Sequence, residues 1–118
     1  HVNNAVFLNY LEYGRVKSLE LTGKSFWEYA RQGIYIVIAR IDISYLQPAY
    51  MGDQLEVSTE ILRVGRSSVV LRQSIFNRSR DEQTASAEVT AVFLGRDKKP
   101  IPVPEEFLQQ MGWTKKKD

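Results

Sequence analysis

The chain has no cysteine and a single histidine, His1, in 118 residues. Without cysteine there are no disulfides, thiol nucleophiles or thiolate metal sites, which suits a cytoplasmic protein. With one histidine, a Ser-His-Asp triad would depend on a terminal residue, and hydrogen-bonding the first turn is the simpler role for His1. A lone histidine also argues against zinc, so neither a metal nor a cofactor is expected. No run approaches the ~20 apolar residues of a membrane span, and no signal-peptide pattern opens the chain. Neither charge dominates: 16 Lys and Arg against 14 Asp and Glu give +2, so charge alone implies no polyanionic partner. Lys115-Lys116-Lys117 reads as a solvated terminus. No methionine precedes His1, which suggests that something upstream has been lost.

What is present suffices for one core. With 43% hydrophobic and 25% charged residues, the chain fits a single domain over residues 1–118 and is too short for two. Phe7, Leu8, Leu11, Val16 and Leu19 recur at three- and four-residue steps, predicting a helix over about 5–21. Tyr10, Tyr13 and Ala5 widen its apolar stripe, while Glu12, Arg15, Lys17 and Glu20 face water. Gly23 closes the helix. Ser25 and Glu28 form a capping box that starts a short second helix ending near Gly33.

From Ile34 the period becomes two. Tyr35, Val37, Ala39, Ile41, Ile43 and Tyr45 predict one apolar face on a strand over about 34–46. A second strand over 54–64 places Leu55, Val57, Thr59 and Ile61 on one side. A third runs over 67–77, a polar loop follows over 78–83, and a fourth runs over 84–95. Ala85, Ala87, Val89, Ala91 and Phe93 share a face there, low enough for a helix backbone to approach closely. Four antiparallel strands in sequence order under a single long helix make an α+β layer architecture, and strands of ~40 Å can wrap a helix of ~25 Å. Pro100, Pro102 and Pro104 form a stiff connector, and Pro104-Glu105-Glu106 has the composition of a last helix's first turn, ending near Gly112.

Two sets of residues invite chemistry. Asn3 and Asn4 stand at the start of the long helix, where they either cap its free N–H groups or form part of a terminus that holds an anion or a polarised carbonyl. Arg63, Arg66, Arg72, Arg78 and Arg80 make 63–80 the most basic segment, either a solvated strand face or a phosphate-binding one. Nucleic acid is the poorer explanation, since the aromatics lie in apolar faces rather than among these arginines. Asp53 reads as a turn residue, and Asp42, beside Arg40, as an interface or sheet-face charge rather than a catalytic one.

The motifs also carry a resemblance. His1-Val2-Asn3-Asn4-Ala5 leading into Phe7-Leu8-Asn9-Tyr10-Leu11-Glu12 resembles the helix start of the hotdog-fold acyl-CoA thioesterases, in the 4-hydroxybenzoyl-CoA thioesterase-like branch. Ile43-Ser44-Tyr45-Leu46-Gln47-Pro48-Ala49 with Gly52-Asp53 is a second match. Val64-Gly65-Arg66-Ser67-Ser68 is a third, and Pro100-Ile101-Pro102-Val103-Pro104-Glu105 a fourth, all in the family's order.

The resemblance implies a hotdog fold in which a curved antiparallel sheet wraps the long helix. It implies hydrolysis of acyl-CoA or acyl-carrier-protein thioesters, with coenzyme A entering only as part of the substrate. The catalytic candidates are Asn4, whose backbone N–H would stabilise the oxyanion, and Asn3, which would shape the turn. Arg66, Ser67 and Ser68 are the candidates for binding coenzyme A. The family's chain begins with a strand and an acidic residue before a Gly-His-Val-Asn-Asn-type turn. The carboxylate base or nucleophile is therefore expected upstream of His1, with one strand missing from this chain. A homodimer or a tetramer is implied. A non-catalytic acyl-CoA-binding hotdog module is the alternative, and a hotdog hydratase is disfavoured because only His1 could complete its Asp and His pair.

Overall fold

A computed structural model describes residues 2–114; the roles considered for His1 and the lysine run lie outside them. Helix α1 spans Asn4–Thr22, α2 spans Phe26–Arg31 and α3 spans Glu105–Gln110. The strands are β1 (Tyr35–Tyr45), β2 (Leu55–Val64), β3 (Ser68–Asn77) and β4 (Glu82–Leu94). All neighbours are antiparallel and the order is β1-β4-β3-β2. Only β2, β3 and β4 therefore follow sequence order; β1 pairs with β4 rather than β2. The reason lies at the end of β1, where the N–H groups of Leu46 and Gln47 both donate to the carbonyl of Thr84. The connector then passes under the start of α1, burying Ala49, whose carbonyl accepts from the N–H of Val2 at 2.7 Å.

The apolar face expected along the whole of β1 is broken midway. Register with β4 shifts between Ile38 and Arg40. Ile36 and Ile38 turn inward before the shift and Ile41 and Ile43 after it, leaving Tyr35 and Val37 on the outer side, 38% and 44% exposed. An unbroken alternation from Ile38 would aim Arg40 and Asp42 at the core; one extra residue in a β-bulge brings in isoleucines instead. The face expected on β4 is intact, with Ala85, Ala87, Val89, Ala91 and Phe93 all buried.

The stripe of α1 is narrower than its composition suggests. Phe7, Leu11, Arg15 and Leu19 are its buried residues, a strict four-residue repeat, whereas Tyr13 and Ala5 are exposed. Arg15 does not face water. It lies between Leu11 and Leu19 on the face turned to the sheet, where every fourth residue points the same way. Nor do the alanines of β4 set the helix's closest approach. A methyl group added at Gly14 would lie 2.5 Å from Cγ1 of Val57, so α1 comes down on β2 through its own glycine. The far end of the core is aromatic, with Phe93 edge-on to Phe107 at 4.8 Å and Tyr29 beyond it. The capping box forms as read: the Oγ of Ser25 accepts from the N–H of Glu28, whose carboxylate accepts from the N–H of Ser25.

Candidate active site

The chain enters α1 through Asn3, which is extended (φ −67°, ψ 141°) and whose Oδ1 accepts from the N–H of Ala5 at 2.8 Å. Its carbonyl accepts from the N–H of Val6 at 3.0 Å. Asn3 thus caps the helix. Between these satisfied groups, the N–H of Asn4 makes no hydrogen bond to any described residue. It stands at the positive end of a 19-residue helix whose first turn holds no acidic side chain.

Asn4 borders a cleft of about 470 Å³ with Val2, Asn3, Phe7, Tyr45, Leu46, Gln47 and Pro48. Tyr45 packs its ring 5.8 Å from that of Phe7 and donates its hydroxyl to the carbonyl of Asn4 at 3.4 Å. Among the described residues, none that lines the cleft is charged. A polarised carbonyl placed there would meet a backbone donor at the positive end of a helix dipole, with Val2, Phe7, Leu46 and Pro48 as the apolar part of the wall, and a preorganised donor of this kind stabilises an oxyanion.

The connector behind the cleft is held by Asp53. Its carboxylate accepts from the N–H of Tyr50 at 2.9 Å, from Nδ2 of Asn77 at 2.8 Å and from Nε of Arg80 at 2.9 Å. The hydrogen bond from Asn77, with those from Tyr50 and Arg80, holds its pKa down at about 2. Arg80 also lies over the ring of Tyr50, 4.4 Å from its centroid. Asp53 is a turn residue, as read, but one that ties the 50–53 turn to the 77–80 turn. The sequence signal was there in Asp53 and Asn77 as polar residues bounding strands, though not their meeting.

The arginine-rich segment is dispersed by the sheet. Arg63 pairs with Glu88, Arg72 with Glu60, Arg78 with Glu56 and Arg80 with Asp53. Arg66 has no carboxylate partner among the described residues; its guanidinium donates to the Oγ of Ser67 at 3.1 Å. Arg66, Ser67 and Ser68 sit at the β2–β3 hairpin, joined to the chain end through Val103 N–H to Arg66 carbonyl and Phe93 N–H to Ser67 carbonyl. Ser68 is level with Val92 of β4, whereas Tyr45, beside Asn4, is level with Ala85. At the usual strand rise this separates the two sets by roughly 23 Å, so one chain does not bring Asn3 and Asn4 together with Arg66, Ser67 and Ser68.

A buried polar set went unread. Arg15, 6% exposed, donates to Oε1 of Gln73 at 3.0 Å, and Nε2 of the fully buried Gln73 donates to the carbonyl of Leu11 and to Oγ1 of Thr59. Burial lowers the pKa of Arg15 from the ordinary arginine value, opposed by the Glu12 carboxylate. The available signal was the spacing Leu11-Arg15-Leu19, which puts Arg15 within the core stripe.

Residues 1–111 match the thioesterase-like superfamily. The chain belongs to that family. A chloroplastic acyl-acyl carrier protein thioesterase of Arabidopsis thaliana is 31% identical over 111 residues, covering 94% of this chain and 59% of the relative. The long-chain acyl-CoA thioesterase FadM of Escherichia coli is 33% identical over 112 residues, covering 94% of this chain and 84% of FadM. A Thermus thermophilus thioesterase, solved with coenzyme A and zinc, superposes with a TM-score of 0.79 at 30% identity, covering 94% of this chain and 78% of that one. The chain spans little more than half the length of the chloroplast relatives, 59% and 56%. Its fold is the hotdog arrangement of this thioesterase-like family, a long helix against a curved antiparallel sheet.

Proposed function

We propose that this domain hydrolyses acyl thioesters, borne on coenzyme A or on an acyl carrier protein, with the oxyanion held by the backbone N–H of Asn4. The observation that carries this reading is the backbone N–H of Asn4, without a hydrogen bond to any described residue at the head of α1, bordering a cleft whose apolar part is Val2, Phe7, Leu46 and Pro48. The family relationship supports the chemistry. Hydrolysis also needs a base or nucleophile, and no carboxylate among the described residues lines the cleft. That group is expected from a carboxylate preceding His1 in the family's pattern. Arg66, Ser67 and Ser68 remain the proposed contacts for the phosphates of coenzyme A, and a cytoplasmic setting is proposed with them.

A second copy would close the distance between these sets. Among the described residues nothing pairs with one edge of β1, where Tyr35, Val37 and Tyr45 are exposed and Leu46 just beyond them. Antiparallel self-pairing about Ile41 would set Arg40 of each copy opposite Asp42 of the other, and Tyr45 opposite Val37. The cleft of one copy would then adjoin the Tyr35 end of the second, where the basic hairpin lies. We infer a homodimer built this way, either alone or paired into a tetramer. Sedimentation showing only monomer at micromolar concentration would count against it.

The test of the activity is thiol release from acyl-CoA and acyl-carrier-protein substrates by the full-length protein, with Asn4→Pro and Asn4→Ala beside it. Proline has no N–H yet suits a helix's first turn, and losing one oxyanion donor costs ~10²–10³ in turnover. Asn4→Ala keeps the donor and should keep appreciable activity. A folded Asn4→Pro protein with wild-type turnover overturns the assignment. Tight acyl-CoA binding without turnover would make the domain a non-catalytic acyl-CoA-binding module.

A further inference from the structure

Apart from Arg15, Lys17 and Lys24, the cations of the described residues fall into two sets. On the sheet, Arg40, Arg63, Arg72, Arg78 and Arg80 are each matched with a carboxylate. At the end of the sheet where β1 begins, Arg31, Arg66, Arg96, Lys98 and Lys99 are all exposed, and none has an ion-pair partner among the described residues.

The fold brings them to one rim. The side chain of Arg96 lies across Gly33, where an added methyl group would meet its Cγ at 2.5 Å, and Gly33 follows Arg31 by one turn residue. Lys98 and Lys99 occupy the tight turn closed by Gly95 N–H to Lys99 carbonyl at 2.9 Å. Arg66 joins through its carbonyl, which accepts from Val103. Acids share this region: Glu28, whose carboxylate accepts in the α2 capping box, Asp97, which accepts the N–H of Lys99, and the exposed Glu105, two residues beyond Val103, are three carboxylates against these five cations. Beside Arg31, one helical turn back on α2, Trp27 stands 70% exposed.

These cations do not converge on a point. They spread over β1, β4 and the hairpin in line with β3, at least ~10 Å at the usual strand spacing. The cleft nearest Arg31 is open and is lined by Glu28, Arg31 and Gln32, without Arg66, Arg96 or the lysines. A single phosphate group therefore cannot satisfy them together, whereas an acidic surface can. An exposed Trp beside Arg is also the composition of a protein-binding hot spot.

We propose that this rim, with Trp27 as its apolar anchor, docks an acidic protein that carries the acyl group on a pantetheine arm. This rests on the thioesterase reading above and on the β1-paired dimer, in which the rim of one copy flanks the Asn4 cleft of the other. Docking there places the carrier at the mouth of the cleft, and the rim's field raises its encounter rate.

The test compares wild type with Arg31→Glu/Lys99→Glu and Trp27→Ala, all in the full-length protein. Arg31→Gln/Lys99→Gln serves as a milder pair should reversal disturb folding. An acidic acyl carrier protein is titrated to obtain Kd, and kcat/KM is measured for one acyl group borne on that protein, on coenzyme A and on pantetheine. The charge-reversed pair should raise Kd and lower kcat/KM for the carrier about tenfold or more at low salt, with the loss shrinking as salt is added. Trp27→Ala should weaken the carrier independently of salt, and the pantetheine thioester should be hydrolysed at the wild-type rate. Unchanged carrier affinity overturns the proposal. So does an equal loss on coenzyme A, which would make the rim a nucleotide-phosphate site, or binding to anionic phosphatidylglycerol vesicles in place of the carrier. A wild-type protein that hydrolyses none of the three overturns the thioesterase reading alone, because the carrier Kd still decides the rim.

Discussion

The two ends of the sheet are built on opposite principles. Where β1 ends at Tyr45, the described residues lining the cleft at the head of α1 include no charged side chain, and the backbone N–H of Asn4 has no partner among them. Where β1 begins at Tyr35, exposed cations gather without ion-pair partners among the described residues. Between them the sheet neutralises itself, arginine by arginine, across its strands. A dipolar donor acts at short range and is most effective without competing charge beside it, whereas long-range attraction needs charges that nothing local has cancelled. The difference suggests separate tasks: chemistry at one end and capture at the other.

The largest effect should break the two ends apart. Asn4→Pro should cost ~10²–10³ in turnover on every thioester, whatever carries it. The Arg31 and Lys99 reversals should spare the pantetheine thioester and act on the carrier. If both lesions depress all substrates in the same ratio, the ends do not have separate tasks.

Next comes the buried set between them. Gln73→Leu would leave the Arg15 guanidinium without its acceptor and the Leu11 carbonyl without the Gln73 donor. Stranding a buried charge of this kind costs roughly 2–4 kcal/mol, read as a lower urea midpoint at unchanged m-value. Arg15→Met combined with Gln73→Leu should recover most of it, since an apolar pair needs no partners. A single Gln73→Leu variant as stable as wild type would mean that Arg15 reaches water.

A smaller effect is expected at Gly14. Alanine there gains about 1 kcal/mol of helix propensity, but its methyl group would sit 2.5 Å from Cγ1 of Val57. Overpacking of that kind costs about 1–3 kcal/mol, so Gly14→Ala should lose about 1 kcal/mol net. Val57→Ala in that background should restore part of it, showing in a thermal-melt double-mutant cycle as coupling between the two sites. Independent losses would place the helix higher above β2 than described.

How much of this was legible follows the range of the forces involved. The capping box, the helix spans and the inward face of β4 are local patterns, and the chain states them directly. The bulge in β1 is not local: Ile36, Ile38, Ile41 and Ile43 all read as apolar, and only pairing with β4 decides where the alternation slips. The arginines misled for the same reason. Arg63 lies far along the chain from Glu88, and the sequence cannot show that the strands bring them within 3.1 Å. Arg15 was hidden by its charge, since a residue type that usually faces water overrode a spacing that pointed inward. Asn3 was legible because a cap acts within its own turn, while the cleft beside it needs Tyr45 and Pro48, which only the fold supplies.

The last prediction concerns the clamp behind the cleft, where the effect at neutral pH is the smallest. The Asp53 carboxylate, with a pKa of about 2 against an ordinary 3.8, is held ionised by Asn77, Tyr50 and Arg80. Its pKa is lower in the folded state than in the unfolded state, so in acid the unfolded chain binds the proton first. The stability it contributes is fully present above about pH 4 and is lost as pH falls through about 2. Asp53→Asn keeps a side-chain acceptor for the Tyr50 N–H but has no charge to titrate. The difference in Tm between wild type and Asp53→Asn should therefore be flat from neutral pH down to about 4 and then shrink towards pH 2. High salt should reduce the Arg80 share of that difference more than the Asn77 share, because only the former is an ion pair. A difference that stays constant down to pH 2 would mean that Asp53 titrates as an ordinary surface carboxylate. The 50–53 turn would then hold the cleft's connector in place without it.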